Sequence, residues 1–217
     1  MYAERLKKLD TASVTDAMDR LGLFGALYHV KPVIGGQKIC GKAFTVHYVP
    51  CGLVKGTVGD FLDDVKPGEV VVIDNDGRDD CTVWGDIMAF VAKQKGIEGT
   101  VINGVCRDLP AVREYGYPIF SKGYYMVTGK DRVEVDGVNV PVNVSDVRIN
   151  PGDYILGDDS GVVCIPAEYV ETVIEIAESI EATEQEIIKE IKKGSTLKDA
   201  RAKTGYHHLQ TRETEKK

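Results

Sequence analysis

An α/β fold built around a mixed sheet is what this sequence predicts, and three observations carry the prediction. Short β-branched runs at 69–74 and 99–104 bracket a stretch of helical periodicity at 84–95. A second unit of the same kind follows, with a helix-prone segment at 109–115 and an apolar run at 118–122. Successive strand–helix–strand units mean right-handed crossovers and parallel strands. After residue 130 the pattern changes to short alternating segments separated by turn residues, which read as hairpins.

Taken in order, the first strong helix signal is Ser13-Val14-Thr15-Asp16. Ser13 is placed to cap it, and Asp16 favours the positive end of its dipole. Leu21-Gly22 would end it. Residues 41–49 alternate as a strand, and Pro67-Gly68 makes the turn into the buried strand at 69–74. Within 84–95, Ile87, Phe90 and Val91, with the small Ala89 and Ala92, are expected to form the buried face, and Gly96 stops the helix. The strand at 99–104 runs into a glycine turn, and the next helix tolerates Pro110 in its first turn.

Asp136-Gly137, flanked by 131–135 and 138–142, is a strong hairpin signal. Residues 151–166 read as another pair of short strands. From 167 to 193 runs a long amphipathic helix with Val170, Val173, Ile174, Ile176, Ala177 and Ile180 as its apolar stripe, ended by Gly194. The whole is expected to be a single domain over 1–217, with a core of about 10–168, a C-terminal helical extension of about 168–205 and a polar tail at 206–217.

Composition narrows the function. With 43% hydrophobic and 28% charged residues the chain is ordinary and globular. A net charge of −7 argues against a nucleic-acid binder, which needs a basic face. No apolar run approaches the roughly 20 residues that cross a bilayer, and the charged N-terminal stretch does not read as a signal peptide. The five cysteines are widely spaced, without a CxxC pair or zinc spacing, and are expected to be reduced, buried thiols. A cytoplasmic protein that engages neither membrane nor nucleic acid is expected.

Three turn segments concentrate functional residue types: Trp84-Gly85-Asp86-Ile87-Met88 at a helix start, Gly104-Val105-Cys106-Arg107-Asp108 after a strand, and Asp74-Asn75-Asp76-Gly77. The crossovers would set the first two near the carboxyl ends of neighbouring strands, where open α/β sheets build sites. Amides at a helix start can grip a carboxylate. A loop carboxylate such as Asp108 suits Mg²⁺ or Mn²⁺, and the adjacent Arg107 would steady an anion growing beside it. Taken singly these signals are bland. Arg-Asp pairs are usually solvated, Gly85-Asp86 reads as a plain helix start, the acidic loop at 74–80 as a solvated turn that can also take a cation, and Lys122 as a surface strand residue. His29, His47, His207 and His208 show no metal spacing.

Together they form a larger pattern. Asp86, twenty residues, then Arg107-Asp108 resembles the acid-X20-Arg-Asp signature of the 4-hydroxy-4-methyl-2-oxoglutarate/4-carboxy-4-hydroxy-2-oxoadipate aldolases. Val14-Thr15-Asp16-Ala17, Pro67-Gly68, Val83-Trp84-Gly85-Asp86, Gly99-Thr100-Val101 and Asn103-Gly104-Val105-Cys106 also fit that group, so the resemblance covers roughly 10–170. It implies a swivelling β/β/α-type domain and a class II aldolase/decarboxylase that cleaves a small 2-oxo acid to pyruvate, with oxaloacetate decarboxylation alongside. Homotrimers or homohexamers are the implied assembly, and Mg²⁺ or Mn²⁺ the implied cofactor.

The resemblance also implies roles. Asp108 would bind the cation, Asp86 would position it through a water, and Arg107 would hold the enolate oxygen. The amides of Gly85, Asp86, Ile87 and Met88 would take the pyruvyl carboxylate; apart from the resemblance, the functional alternative for Lys122 is that it reaches a substrate carboxylate. A glutamate from the C-terminal helix of a neighbouring subunit would approach the cation through water, with Glu184 the candidate and Glu181 and Glu186 beside it. Two places depart from the group: Asn103, where aspartate is frequent, and the segment 122–130, which borders the distal part of the substrate. The same superfamily holds the regulators of ribonuclease activity A, which act by protein–protein binding and lack the full signature; a non-catalytic regulator of that kind is the rival reading. Some members carry a methyltransferase label, but no glycine loop for a methyl donor is present.

Overall fold

The computed structural model describes residues 2–53 and 56–204. The polar tail expected over 206–217, with His207 and His208, lies outside the described residues. Helices α1 (Tyr2–Leu6) and α2 (Thr11–Leu21) lead into β1 (Lys31–Pro32) and the long β2 (Ile39–Pro50). Then come β3 (Val70–Asp74), α3 (Asp86–Gln94), β4 (Gly99–Cys106), α4 (Leu109–Tyr115) and β5 (Ile119–Tyr124). Strands β6 (Val133–Val138), β7 (Val142–Val144), β8 (Val147–Ile149), β9 (Tyr154–Asp158) and β10 (Gly161–Ile165) follow, and α5 (Val170–Lys192) and α6 (Leu197–Thr204) complete the order.

The main sheet runs β1-β5-β4-β3-β2-β9-β10, with β6 also paired to β2. Strands β2, β3, β4 and β5 are mutually parallel, as the two crossover units require, and the remaining pairings are antiparallel. The sheet curls until its ends nearly meet: Ala26 bridges Val163, and the Leu27 amide donates to the Val162 carbonyl. This nearly closed, mixed sheet with a C-terminal helix is the architecture that the family resemblance implied.

Curling gives the central strands two buried faces. Val71, Ile73 and Ile102 pack against α3 and α4 with Trp84, Ala89 and Val112, while Val72, Val101 and Phe120 fill the inside of the curl. That is why β3 and β4 read as continuous apolar runs rather than alternating ones. Helix α5 lays Val170, Val173, Ile174, Ala177 and Ile180 onto α2 and β9, as its apolar stripe predicts. Each of these valines and isoleucines contributes about 1.5–3 kcal/mol by leaving water.

Four local expectations are corrected. The cap of α2 is Asp10, whose carboxylate accepts from the Ser13 amide and hydroxyl at 2.7 Å; Ser13 is the donor, three residues inside the helix. On α3 the buried pair is Ala89 and Ala92, with Met88 and Val91 partly covered, whereas Ile87 and Phe90 are 74% and 49% exposed. Small residues face the sheet because the helix lies close upon it. Gly104 is not a turn but a bulge within β4: with φ +156°, it lets β4 carry one extra residue against β5 between Ile102 and Val105. A Cβ there would meet the Arg78 carbonyl at 3.1 Å.

The fourth correction concerns Asp136-Gly137. It forms no hairpin, because β6 runs straight through it and pairs with β2, where Gly137 sits opposite His47. The tight turn lies instead at Ser145-Asp146, between β7 and β8, with Ser145 at φ +55°. Cross-strand pairing along β2 overrides a local turn preference here. No described helix is long and apolar enough to cross a membrane.

Asp158 ties the start of α2 to the end of β9. It accepts from the Thr11 amide and hydroxyl and from the Ser160 amide, each at 2.8 Å. Burial would raise its pKa, but these hydrogen bonds outweigh burial and hold the carboxyl below its usual range. A depressed carboxylate stabilises the fold above its unfolded-state value, and that contribution is lost as pH falls through the folded-state value. Asp158→Asn should therefore lower stability at pH 7 by about 1 kcal/mol. In urea unfolding, the gap to wild type should close as pH drops below about 4.

Candidate active site

Two segments distant in sequence meet at the carboxyl end of β4. The Arg107 amide donates to the Trp84 carbonyl at 3.0 Å, and the Asp86 amide donates to Asp108 Oδ2 at 3.2 Å. Arg107 Nε lies 3.2 Å from the same Oδ2. Asp86 and Arg107 thus line one corner of a cleft of about 740 Å³, and the Asp108 carboxylate is bonded to both. The Arg107 and Asp108 side chains are 36% and 35% exposed, open enough to meet a ligand yet partly shielded from water.

The local folding is legible residue by residue. Trp84 is buried and stacks nearly parallel on Tyr117, with ring centroids 5.9 Å apart, and Tyr117 shares a buried 2.9 Å hydrogen bond with Thr100. That stack fixes the chain immediately before α3. Gly85 then caps α3, and a Cβ there would meet Asp108 Oδ2 at 2.6 Å and Arg107 Nε at 3.2 Å, so a larger residue would have to displace that pair. Asp108 caps α4 in the left-handed region, at φ +60° and ψ +37°. That conformation costs an ordinary residue about 1–2 kcal/mol, less for aspartate, and such strain concentrates at functional sites.

Gly85, Asp86, Ile87, Met88 and Arg107 all line the cleft, and Asp108 joins them through its hydrogen bond to Asp86. Two of the amides proposed for a substrate carboxylate already have partners, because that of Asp86 is held by Asp108 and that of Ile87 by its neighbour's Oδ1 at 2.8 Å. A carboxylate would have to exchange for them. Lys122 does not line this cleft. It stands over Gly77, where a Cβ would lie 3.0 Å from its Nζ and 3.6 Å from Asn103 Oδ1. The reason is strand parity: on β5 the Lys122 side chain shares the face of Phe120, inside the curl, while Arg107 lies on the side of α3.

Glu184 is likewise absent from the cleft of its own chain. It sits on α5, which packs on α2, where burial and the charges of Asp10, Asp16 and Glu181 raise its pKa. The acidic loop at 74–80 is structural. Asp74 accepts from the Asn103 side chain and from the Asp76 and Asn143 amides, and Asp80 is clasped by Arg78. Among the described residues no group of three or more His, Cys, Asp or Glu is arranged to hold a metal. Cys106, next to the site, is no nucleophile at neutral pH, since burial pushes its thiol up to about 11.

Sequence reasoning missed the walls of the cleft. One is the loop carrying Gly56, Thr57 and Gly59 with the acids Asp60 and Asp63; the other is Thr128, Gly129 and Lys130. A signal existed in the glycines. A Cβ on Gly59 would meet Met88 Sδ at 3.3 Å, and one on Gly129 would meet the Thr82 carbonyl at 2.4 Å.

A family model described as RraA-like, Aldolase/RraA, matches residues 11–164. This chain belongs to the Aldolase/RraA family. Among Aldolase/RraA relatives, Protein DlpA of Legionella pneumophila is 39% identical over 201 residues, covering 91% of this chain. The match takes in only 33% of DlpA, so this chain spans about a third of that relative's length. A Halalkalibacterium halodurans protein named "Putative 4-hydroxy-4-methyl-2-oxoglutarate aldolase" is 32% identical, over 85% of each chain. The crystal structure of Streptomyces coelicolor RraAS2, described as an unusual member of the RNase ES inhibitor RraA protein family, superimposes with a TM-score of 0.77 at 26% identity. That superposition covers 88% of this chain and 95% of the other.

Because the Gly85 position touches both Asp108 and Arg107, Gly85→Ala should disturb the pair without emptying any core. Circular dichroism should stay native, while the Asp86 amide–Asp108 and Arg107–Asp108 contacts are lost, which a crystal structure of the variant would show.

Proposed function

We propose that this protein is a divalent-metal-dependent lyase that cleaves 4-hydroxy-2-oxo acids of the 4-hydroxy-4-methyl-2-oxoglutarate type to pyruvate, and that it also decarboxylates oxaloacetate. The observation that carries the reading is the meeting of Asp86, Arg107 and Asp108 at one corner of the cleft. Aldolase names among relatives at modest identity support the same class.

The donor set fits a hard divalent cation. Mg²⁺ and Mn²⁺ are commonly held by one or two carboxylates, with waters and substrate completing the shell, so a three-ligand protein cage is not required. Asp108 Oδ2 is engaged by an amide and a guanidinium, while Oδ1 accepts no hydrogen bond from a described residue. Gly85 leaves open the space beside Oδ2 that a side chain would fill. Asp108 would hold the cation and Asp86 would assist through a water. When bound, the cation supplies Lewis-acid polarisation of the 2-oxo acid.

The chain's own groups then do the following. Amides at the start of α3 orient the substrate carboxylate. Asp86 holds a water within reach of the 4-hydroxyl, and that water receives the hydroxyl proton. The bond between C3 and C4 breaks, its electron pair passing to C3 and on to the keto oxygen, and the departing fragment leaves as a carbonyl compound. Arg107 meets the growing oxyanion with a fixed guanidinium, worth several kcal/mol in a partly dry site. Protonation at C3 gives pyruvate. Oxaloacetate follows the same course, losing CO₂ in place of the carbonyl compound.

Ile87 and Phe90 on α3, and Tyr124 and Met126 at and just past the end of β5, stand exposed, and Ile87 lines the cleft. Exposed apolar side chains of this size suit a contact between subunits. The reading therefore includes a homotrimer or homohexamer, in which Glu184 of a neighbouring subunit would approach the cation.

Arg107→Ala and Asp108→Ala should each cut pyruvate release by about 10³-fold or more while the assembly keeps its size in solution. A chelator should abolish wild-type turnover, and added Mg²⁺ or Mn²⁺ should restore it. Wild-type rates in either variant would remove the site. Ribonuclease inhibition without any metal-dependent lyase activity would support the regulator reading instead.

A further inference from the structure

A second cleft, of about 720 Å³, lies at the other end of the parallel strands from the candidate active site. Cys40 and Lys42 at the start of β2 line it, with Glu69 just before β3 and Glu98 just before β4. Arg107, by contrast, follows the end of β4, and the two clefts share no lining residue. Helix α1 contributes Tyr2, Arg5 and Lys7 from its length and its exit, and β9 contributes Tyr154.

Most of the charged groups here are already paired. Arg5 forks onto Glu178 at 2.9 and 2.7 Å, and Lys7 meets Glu98 at 2.7 Å. Glu69 accepts from the Lys66 amide at 2.8 Å. Lys42 differs. Its ammonium has no hydrogen-bond or ion-pair partner among the described residues, and it stands over the Tyr154 ring, 5.8 Å from the centroid.

Tyr154 is the second, independent observation. It is 9% exposed, yet its hydroxyl neither meets a partner among the described residues nor belongs to the polar atoms sealed from solvent. The little surface it keeps therefore opens into the cleft that it lines. A phenol so nearly buried normally has a hydrogen-bond partner. Around it the walls are apolar. The rings of Tyr2 and Tyr154 form a corner, 84° apart with centroids separated by 6.1 Å. Beside them the buried Cys40 thiol is neutral, since burial pushes it up to about 12. Apolar walls with a few convergent polar groups are the ordinary make-up of a small-molecule site. A single free cation near the Glu69 and Glu98 carboxylates suits a monoanion, because a dianion would meet repulsion.

We propose that this second cleft binds a small aromatic monocarboxylic acid, its carboxylate shared by the Lys42 ammonium and the Tyr154 hydroxyl and its ring lodged in the Tyr2–Tyr154 corner. An ammonium and a hydroxyl both donate to a carboxylate, and a flat ring meets one tyrosine by its face and the other by its edge.

The test titrates 4-fluorobenzoate and its neutral isostere 4-fluorobenzamide into the full chain with Mg²⁺, followed by fluorine NMR. Wild type should bind the benzoate about tenfold more tightly than the amide. Lys42→Ala should erase that preference by weakening the benzoate about tenfold, and Tyr154→Phe should weaken it about fivefold. No described residue uses the Tyr154 hydroxyl, so Tyr154→Phe should keep the wild-type urea midpoint, which separates a lost contact from a damaged fold. Arg107→Ala, in the other cleft, should bind the benzoate as wild type does. No benzoate binding at millimolar concentration overturns the inference, as does binding that Lys42→Ala leaves intact or that Arg107→Ala abolishes. Pyruvate release has no part in the readout, so this inference and the lyase reading stand or fall separately.

Discussion

Two hydrogen bonds from backbone amides hold the site together: Arg107 N–H to the Trp84 carbonyl, and Asp86 N–H to the Asp108 side-chain carboxylate. They join the entrance of α3 to the exit of β4, and most of the surrounding structure serves to make them possible. The Trp84–Tyr117 stack fixes the first segment against α4 and β4. The parallel register of β3, β4 and β5 fixes the second. Gly85 permits the approach, since a Cβ there would crowd Asp108 Oδ2 and Arg107 Nε out of their present positions. A charged pair that relied on long, exposed side chains alone would lose its geometry to rotamer entropy. Here the backbone supplies the positions and the side chains only complete them.

Much of the fold was legible in the sequence because periodicity and crossover logic act over long windows. The bounds Leu109–Tyr115 could be read directly, since Pro110 and Gly116 punctuate the segment at both ends. The apolar stripe of α5 was equally plain. What could not be read were choices decided by tertiary partners. Asp136-Gly137 has the chemistry of a turn, yet its backbone groups are used along β2. Ile87 and Phe90 fit a helical stripe, yet the face turned to the sheet holds alanines, because only small side chains allow α3 so close.

The candidate site divides in the same way. Asp86, Arg107 and Asp108 were found because their spacing is written in the chain. Lys122 was grouped with them because it lies on a neighbouring strand, but residue counting does not say which side of a sheet a strand residue faces when a bulge intervenes next door. The walls with Asp60, Asp63 and Lys130 carry no spacing rule at all. They converge because the 3-10 turn at 60–64 packs on α3 while 127–129 pairs with Thr82 just before it.

The bulge at Gly104 has a consequence for how this chain can change. One surplus residue in β4 sets which of the succeeding positions look toward the helices and which look into the curl. Lengthening the connection at 95–98 would leave that phase untouched. Removing a single residue between 103 and 106 would reverse it and carry the arginine to the wrong side of the sheet. Descendants of this sequence are thus free to lengthen their loops, but they must conserve the arithmetic of one strand.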